Sequence, residues 1–219
     1  MKTRKINTKN IAILSLMTAL TAVFCFVPIS FGTVTLALMI LPTLIIAQIG
    51  DFKMTVAIGL IMGLMNYIAW FTTKAASVLA PIFQNPLVCI LPRVLIGIVA
   101  FGIRKLFEKY ICKPKYKSDG ENNILINKKS LIALDQVSMV TATALGVVTN
   151  TFFVGMFTLI FFYNKELSSS IVIDFEYILT WYGLNFLIEV ISFSIITPAI
   201  TLALRASRLV PKPPYLNAK

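Results

Sequence analysis

The sequence contains no histidine, and only 13% of its 219 residues are charged. The first absence removes histidine-based acid–base chemistry and histidine-ligated metals. The second sets the chain far from soluble domains, in which about 25% of residues are charged. Cysteine is scarce too. Cys25, Cys89 and Cys112 are scattered, two of them in apolar runs, so no disulfide framework or metal site is read from them. No paired catalytic aspartates lie on one helix, and no nucleophile is placed beside a base. Glu189 stands out as the one acid set inside an apolar run.

What is abundant is hydrocarbon, at 58% of residues. A spanning helix needs about 20 residues, so the chain has room for six such helices and little else. No space remains for a nucleotide-binding domain, so any energy source must sit on another polypeptide. The expected fold is all-α, an integral membrane bundle of six transmembrane helices forming one domain over residues 1–219. The helices are expected near 11–27, 34–49, 54–71, 86–107, 133–162 and 178–204, with a cytoplasmic linker over 110–129. The basic start and the apolar run after it also describe a signal peptide. That run is long and no small-x-small site follows it, so a retained helix is expected. Pro42 is expected to interrupt the second helix, and the loop 72–84 to form a lid. Gly59 and Gly63 form a GxxxG pattern that permits close helix packing.

The net charge of +11 raises the question of nucleic acid, but the basic residues lie between apolar spans, where topology accounts for them. With both termini cytoplasmic, the inner side carries seventeen of the twenty Lys and Arg. Four are in the N-terminal arm, one is Lys53, eight lie between helices four and five, and four follow helix six. Only Lys74 and Lys165 fall outside, and Arg93 is in the membrane. Asymmetry of this size predicts the orientation.

The chain is organised around Gln84–Gly97, QNPLVCILPRVLIG. An Arg at the centre of a spanning helix costs roughly 2.5–3.5 kcal/mol on insertion scales, so it usually faces a cavity or a partner. Pro92 beside it removes a backbone donor. Arg93 is expected on the order of 10 Å below the outer surface. Glu189 lies somewhat deeper, and Asn85, Asn150, Trp181, Tyr182 and Asn185 at similar or shallower depths. Asn66, at the far end of helix three, joins them as a candidate. Two readings stay open: an Arg93–Glu189 ion pair that neutralises both charges, or a pocket in which Arg93 grips the anionic group of a small solute. On helix one, Ala12, Ser15, Ala19 and Ala22 share a face, for packing inside the protein or for docking a partner helix.

The NPLVCILPRVLIG segment and this six-helix plan resemble the substrate-binding S-component of an energy-coupling-factor (ECF) vitamin transporter, most closely the pantothenate type. The resemblance implies a multi-pass protein of a prokaryotic plasma membrane, without its own ATPase, that binds one anionic vitamin on the outer side. It implies as partners a transmembrane coupling subunit (T-component) and two cytoplasmic ATPases. The family's AxxxA docking motif falls on Ser15–Ala19, with serine in place of the first alanine. No cofactor or nucleic-acid partner is implied. The alternatives are an S-component for another vitamin such as folate or riboflavin, and a stand-alone small membrane carrier or enzyme. A lone carrier usually needs repeats that are not visible here.

Overall fold

The computed structural model describes residues 8–27, 29–31, 34–112, 128–168, 171–210 and 213. Helix α1 spans Thr8–Phe26 and leads into a ribbon of β1 (Ile29–Phe31) and β2 (Val34–Leu36), paired antiparallel with Ile29 opposite Leu36. Helices α2 (Ile40–Ile49) and α3 (Phe52–Phe71) follow. Two single turns, α4 (Ala80–Phe83) and α5 (Pro86–Cys89), precede α6 (Leu91–Phe107), which ends in a π-helical turn over Glu108–Cys112. Helix α7 covers Lys128–Phe162. A second ribbon, β3 (Glu166–Ser168) with β4 (Ile171–Val172), leads to α8 (Phe175–Tyr177). A π-helical turn over Ile178–Tyr182 then joins α9 (Gly183–Ala206).

Five of these helical stretches are long and apolar enough to cross a membrane: Thr8–Phe26, Phe52–Phe71, Pro86–Ile111, Ser130–Phe162 and Phe175–Ala206. The sixth expected span differs. Residues 34–36 are a strand rather than helix, and α2 keeps only 10 residues. Val34 and Thr35 are β-branched and pair readily with Phe31 and Ser30, which delays the helix to Ile40. At about 1.5 Å per residue such a helix is far shorter than a bilayer core. Pro42 does not interrupt it, because the proline sits in the first turn, where backbone N–H groups have no helical partner. Nine residues of α2, Ile40 to Gln48, are buried. A helix apolar on all sides is stable only when enclosed. Its Leu44, Ile45 and Ile46 form the main core with Ile58 and Met62 of α3, Ile96 of α6 and Phe193 of α9. Gln48 ties it to α7 through the Thr143 hydroxyl at 2.7 Å.

The bundle turns apolar side chains outward. Leu60, Leu64 and Ile68 on α3 recur every four residues and are exposed, as are Leu187, Ile191 and Ile195 on α9. Spacing of four places each set on one helix face, which in water would be a liability and in lipid is the expected surface. Helix α7 begins at Lys128, five residues earlier than expected, and the π-helical turn occupies 110–112. The rest of the expected linker, 113–127, lies outside the described residues.

The GxxxG pattern has a specific job. A Cβ on Gly59 would meet the Arg93 carbonyl oxygen at 3.1 Å, and one on Gly63 would meet Ile90 Cα at the same distance. These glycines bring α3 against the backbone of the α5–α6 junction and so set where Arg93 stands. Leucine at Gly63 is therefore expected to force the helices apart, costing about 1–3 kcal/mol in overpacking. Thermal unfolding of the purified variant should show that loss.

Candidate functional site

A cavity of about 450 Å³ lies among the ends of α1, α3, α7 and the starts of α6 and α9. Its most informative wall is the α5–α6 entry. Asn85 caps α5 by accepting the Leu87 N–H at 3.0 Å, with Pro86 at the first helical position. The chain breaks at Ile90 and restarts with Pro92 in the first turn of α6. In a continuous helix the Val88 carbonyl would accept from residue 92, but proline has no N–H. The Arg93 guanidinium fills that role instead, donating from Nη1 to the Val88 oxygen at 2.9 Å. Proline and arginine thus act as a pair: one frees a carbonyl and the other binds it.

Arg93 is 5% exposed, and its Nε is buried without a hydrogen-bond partner. Glu189, 6% exposed, also lines the cavity, and its Oε1 accepts the Ala37 N–H at 3.0 Å. No contact ion pair joins Arg93 and Glu189 among the described residues.

Six of the residues read from the sequence come together here: Arg93, Asn66, Asn150, Tyr182, Asn185 and Glu189 all line the cavity. Asn66 is fully buried and donates to Cys89 Sγ at 3.2 Å. The Asn150 Oδ1 is buried and has no hydrogen-bond partner. Asn85 does not reach the cavity wall, because its side chain is held in the α5 cap. Trp181 belongs to the π-helical turn, but its side chain lies outside the described residues. On α1, Ala12, Ser15 and Ala19 are exposed and Ala22 is half-buried, while Met17, Thr21 and Cys25 face inward.

The far end of helix three, with Asn66, Tyr67 and Trp70, suits an interface belt or a ligand pocket by sequence, and Trp70 does line the cavity; Lys74 was missed. Trp70 stacks on Phe83 with ring centroids 4.6 Å apart, and its indole Nε1 is buried without a partner. Lys74 lines the cavity from the loop after α3 and donates to Asn66 Oδ1 at 3.2 Å. Burial pushes the Lys74 ammonium below its usual pKa range, and the nearby Arg93 charge pushes the same way. Its signal in the sequence was its isolation, as one of two basic residues assigned outside.

A second buried cluster corrects the reading of Glu189 as the only buried acid. Asp135 on α7 is 1% exposed and pairs with Arg104 of α6 and Arg205 of α9, the latter at 2.7 Å. Arg104 also donates to the Ser138 hydroxyl. Both arginines had been counted as loop charges; they are 4% and 5% exposed. They clamp three helices at the end of the bundle away from the cavity.

A buried Arg93 and a half-buried Lys74 beside apolar walls, inside a bundle whose outer surface is lipid-like, make this a membrane protein with an internal cavity of mixed polarity. Catalytic groups in hydrogen-bonded reach of one another are not seen among the described cavity residues. A sequence model for the substrate-specific component of ECF transporters matches residues 9–201, nearly the whole chain. The chain belongs to that family. It is a multi-pass protein of the cell membrane and the substrate-binding subunit of a transporter, whose family implies a T-component and ATPase partners. No curated protein matches it in sequence.

Proposed function

We propose that this chain binds pantothenate, or a closely similar small anionic vitamin, and delivers it for ATP-driven uptake. The observation that carries the reading is Arg93: a guanidinium buried in a cavity wall, with which no carboxylate forms an ion pair among the described residues. A planar guanidinium suits a carboxylate because two parallel donors meet two oxygens. An anionic ligand would bring counter-charge to the basic side chains of Arg93 and Lys74 in the cavity. Asn66 and Asn150 supply amide groups for hydroxyls and amides of the ligand, and Tyr182 with the Trp70–Phe83 pair supplies apolar wall.

In this reading both termini are cytoplasmic and the cavity opens outward. Arg104 and Arg205 leave the loop count because they are buried, yet the remaining basic residues still lie overwhelmingly on one side. Mass spectrometry of the vitamin carried by the purified protein tests the assignment directly, with pantothenate expected. Folate or riboflavin in its place would overturn the vitamin and keep the transporter subunit.

The exposed small residues Ala12, Ser15 and Ala19 serve, in the same reading, as the face on which the T-component docks. Ala19→Trp should then bind vitamin normally while losing uptake and co-purification of the coupling subunit. Normal uptake would place docking on another face.

A further inference from the structure

Four side chains form a column along one wall of the cavity. The Arg93 Cζ lies 5.4 Å from the Phe83 ring centroid. Phe83 stacks on Trp70 nearly parallel, with 12° between ring planes. The Lys74 Nζ lies 5.4 Å from the Trp70 centroid. The order is cation, ring, ring, cation. All four residues line the same cavity.

Two like charges in one cavity are costly without counter-charge, and the lower local dielectric makes them more so. The aromatic faces attract each cation and hold the two apart, but cation–π contacts of this kind contribute only about 0.5–2 kcal/mol. Among the described residues Arg93 donates to the Val88 carbonyl and Lys74 to Asn66. Among the described residues no carboxylate pairs with either. The third charged group, Glu189, has one oxygen committed to the Ala37 N–H. An ammonium has three donors in all, so Lys74 keeps capacity to spare on the cavity side.

We infer that Lys74 is a second substrate anchor, which reads an acceptor group on the ligand at the opposite end of the Trp70–Phe83 column from the group held by Arg93. The selected class is an elongated anion carrying a second oxygen acceptor, charged or neutral, separated from the first by an apolar stretch that lies along the two rings. This rests on the reading of Arg93 as the anchor of the ligand's anionic group. Lys74 then sets specificity: it distinguishes ligands with a second acceptor from simple carboxylates of the same length.

The test is calorimetric titration of the full-length protein in detergent with adipate, suberate and sebacate. Each is compared with hexanoate, octanoate or decanoate of matching length, and ω-hydroxyoctanoate is added to separate a neutral acceptor from a charged one. A charge-assisted hydrogen bond is expected to favour at least one two-ended ligand over its simple counterpart by about tenfold or more. Lys74→Met should abolish that preference, lowering the affinities of the two-ended ligands by far more than those of the monocarboxylates, while Lys74→Arg retains it. Were Lys74 only pinning its loop to Asn66, Lys74→Met would shift both ligand types equally, keep the preference and overturn the inference. It is equally overturned by a wild type with no preference, whether all these ligands bind alike or none binds. Pantothenate is titrated separately. A wild type that ignores pantothenate yet shows the Lys74-dependent preference refutes the vitamin and keeps the second anchor.

Discussion

Replacing Asp135 with alanine is expected to cost about 3–5 kcal/mol of stability, because it removes a buried carboxylate with which two buried guanidiniums pair. Asp135 receives Arg104 from α6 and Arg205 from α9 while sitting on α7, so one carboxylate joins three spanning helices. Long arginine side chains near helix ends relieve part of such a loss by reaching toward the interface. That relief is limited here, because both are 5% exposed or less. Thermal unfolding of the purified variant and its yield from membranes measure the effect. Changing Arg104 and Arg205 to Met and Asp135 to Leu together should recover much of the loss, since it removes the paired charges together. Substrate affinity of the folded fraction should hardly change. Arg104 lies eleven residues along α6 from Arg93, roughly 16 Å at helical rise. A large loss of affinity at undiminished stability would instead make the clamp part of the binding cycle.

The contrast between this clamp and the cavity explains what the sequence made legible. Arg93 was visible because it is a single charge inside an apolar run, where the cost of burial demands a purpose. Asn150 and Glu189 were visible for the same reason. Gly59 and Gly63 gave the close approach of helices by spacing alone, though not the identity of the backbone they meet. Arg104 and Arg205 stand at helix ends, where basic residues commonly face the cytoplasm, and Asp135 stands near a helix start, where acids commonly face the dipole. Each has a sufficient local explanation, so their meeting is a tertiary fact that local pattern hides. The same holds for Lys74, which reads as an ordinary loop lysine until Trp70 and Phe83 are stacked beneath it. Helix α2 was overextended because a β-branched apolar run fits helix and strand alike, and only the pairing of Val34 with Phe31 decides.

Arg93→Ala is expected to weaken substrate binding by a factor of about 30 to several thousand, the equivalent of about 2–5 kcal/mol. The loss arises because the ligand's carboxylate, still taken out of water by the cavity, no longer finds its partner. Arg93→Lys keeps the charge and loses the planar fork, so it should fall between. Removing the guanidinium also strips the Val88 carbonyl of its donor, which adds a stability cost of about 1–3 kcal/mol. The two effects separate by measuring unfolding without ligand and affinity with it. Discrimination is the sharper readout. Wild type should strongly prefer pantothenate to panthenol, its uncharged alcohol analogue, and Arg93→Ala should bind the two alike. Affinity for panthenol itself should change little, since no carboxylate was there to lose. Glu189→Gln provides the control: without an ion pair to Arg93 to break, it should leave the preference for the anion in place. A folded Arg93→Ala that keeps the wild-type affinity for pantothenate would remove Arg93 from the binding site and leave it a structural partner of the proline break.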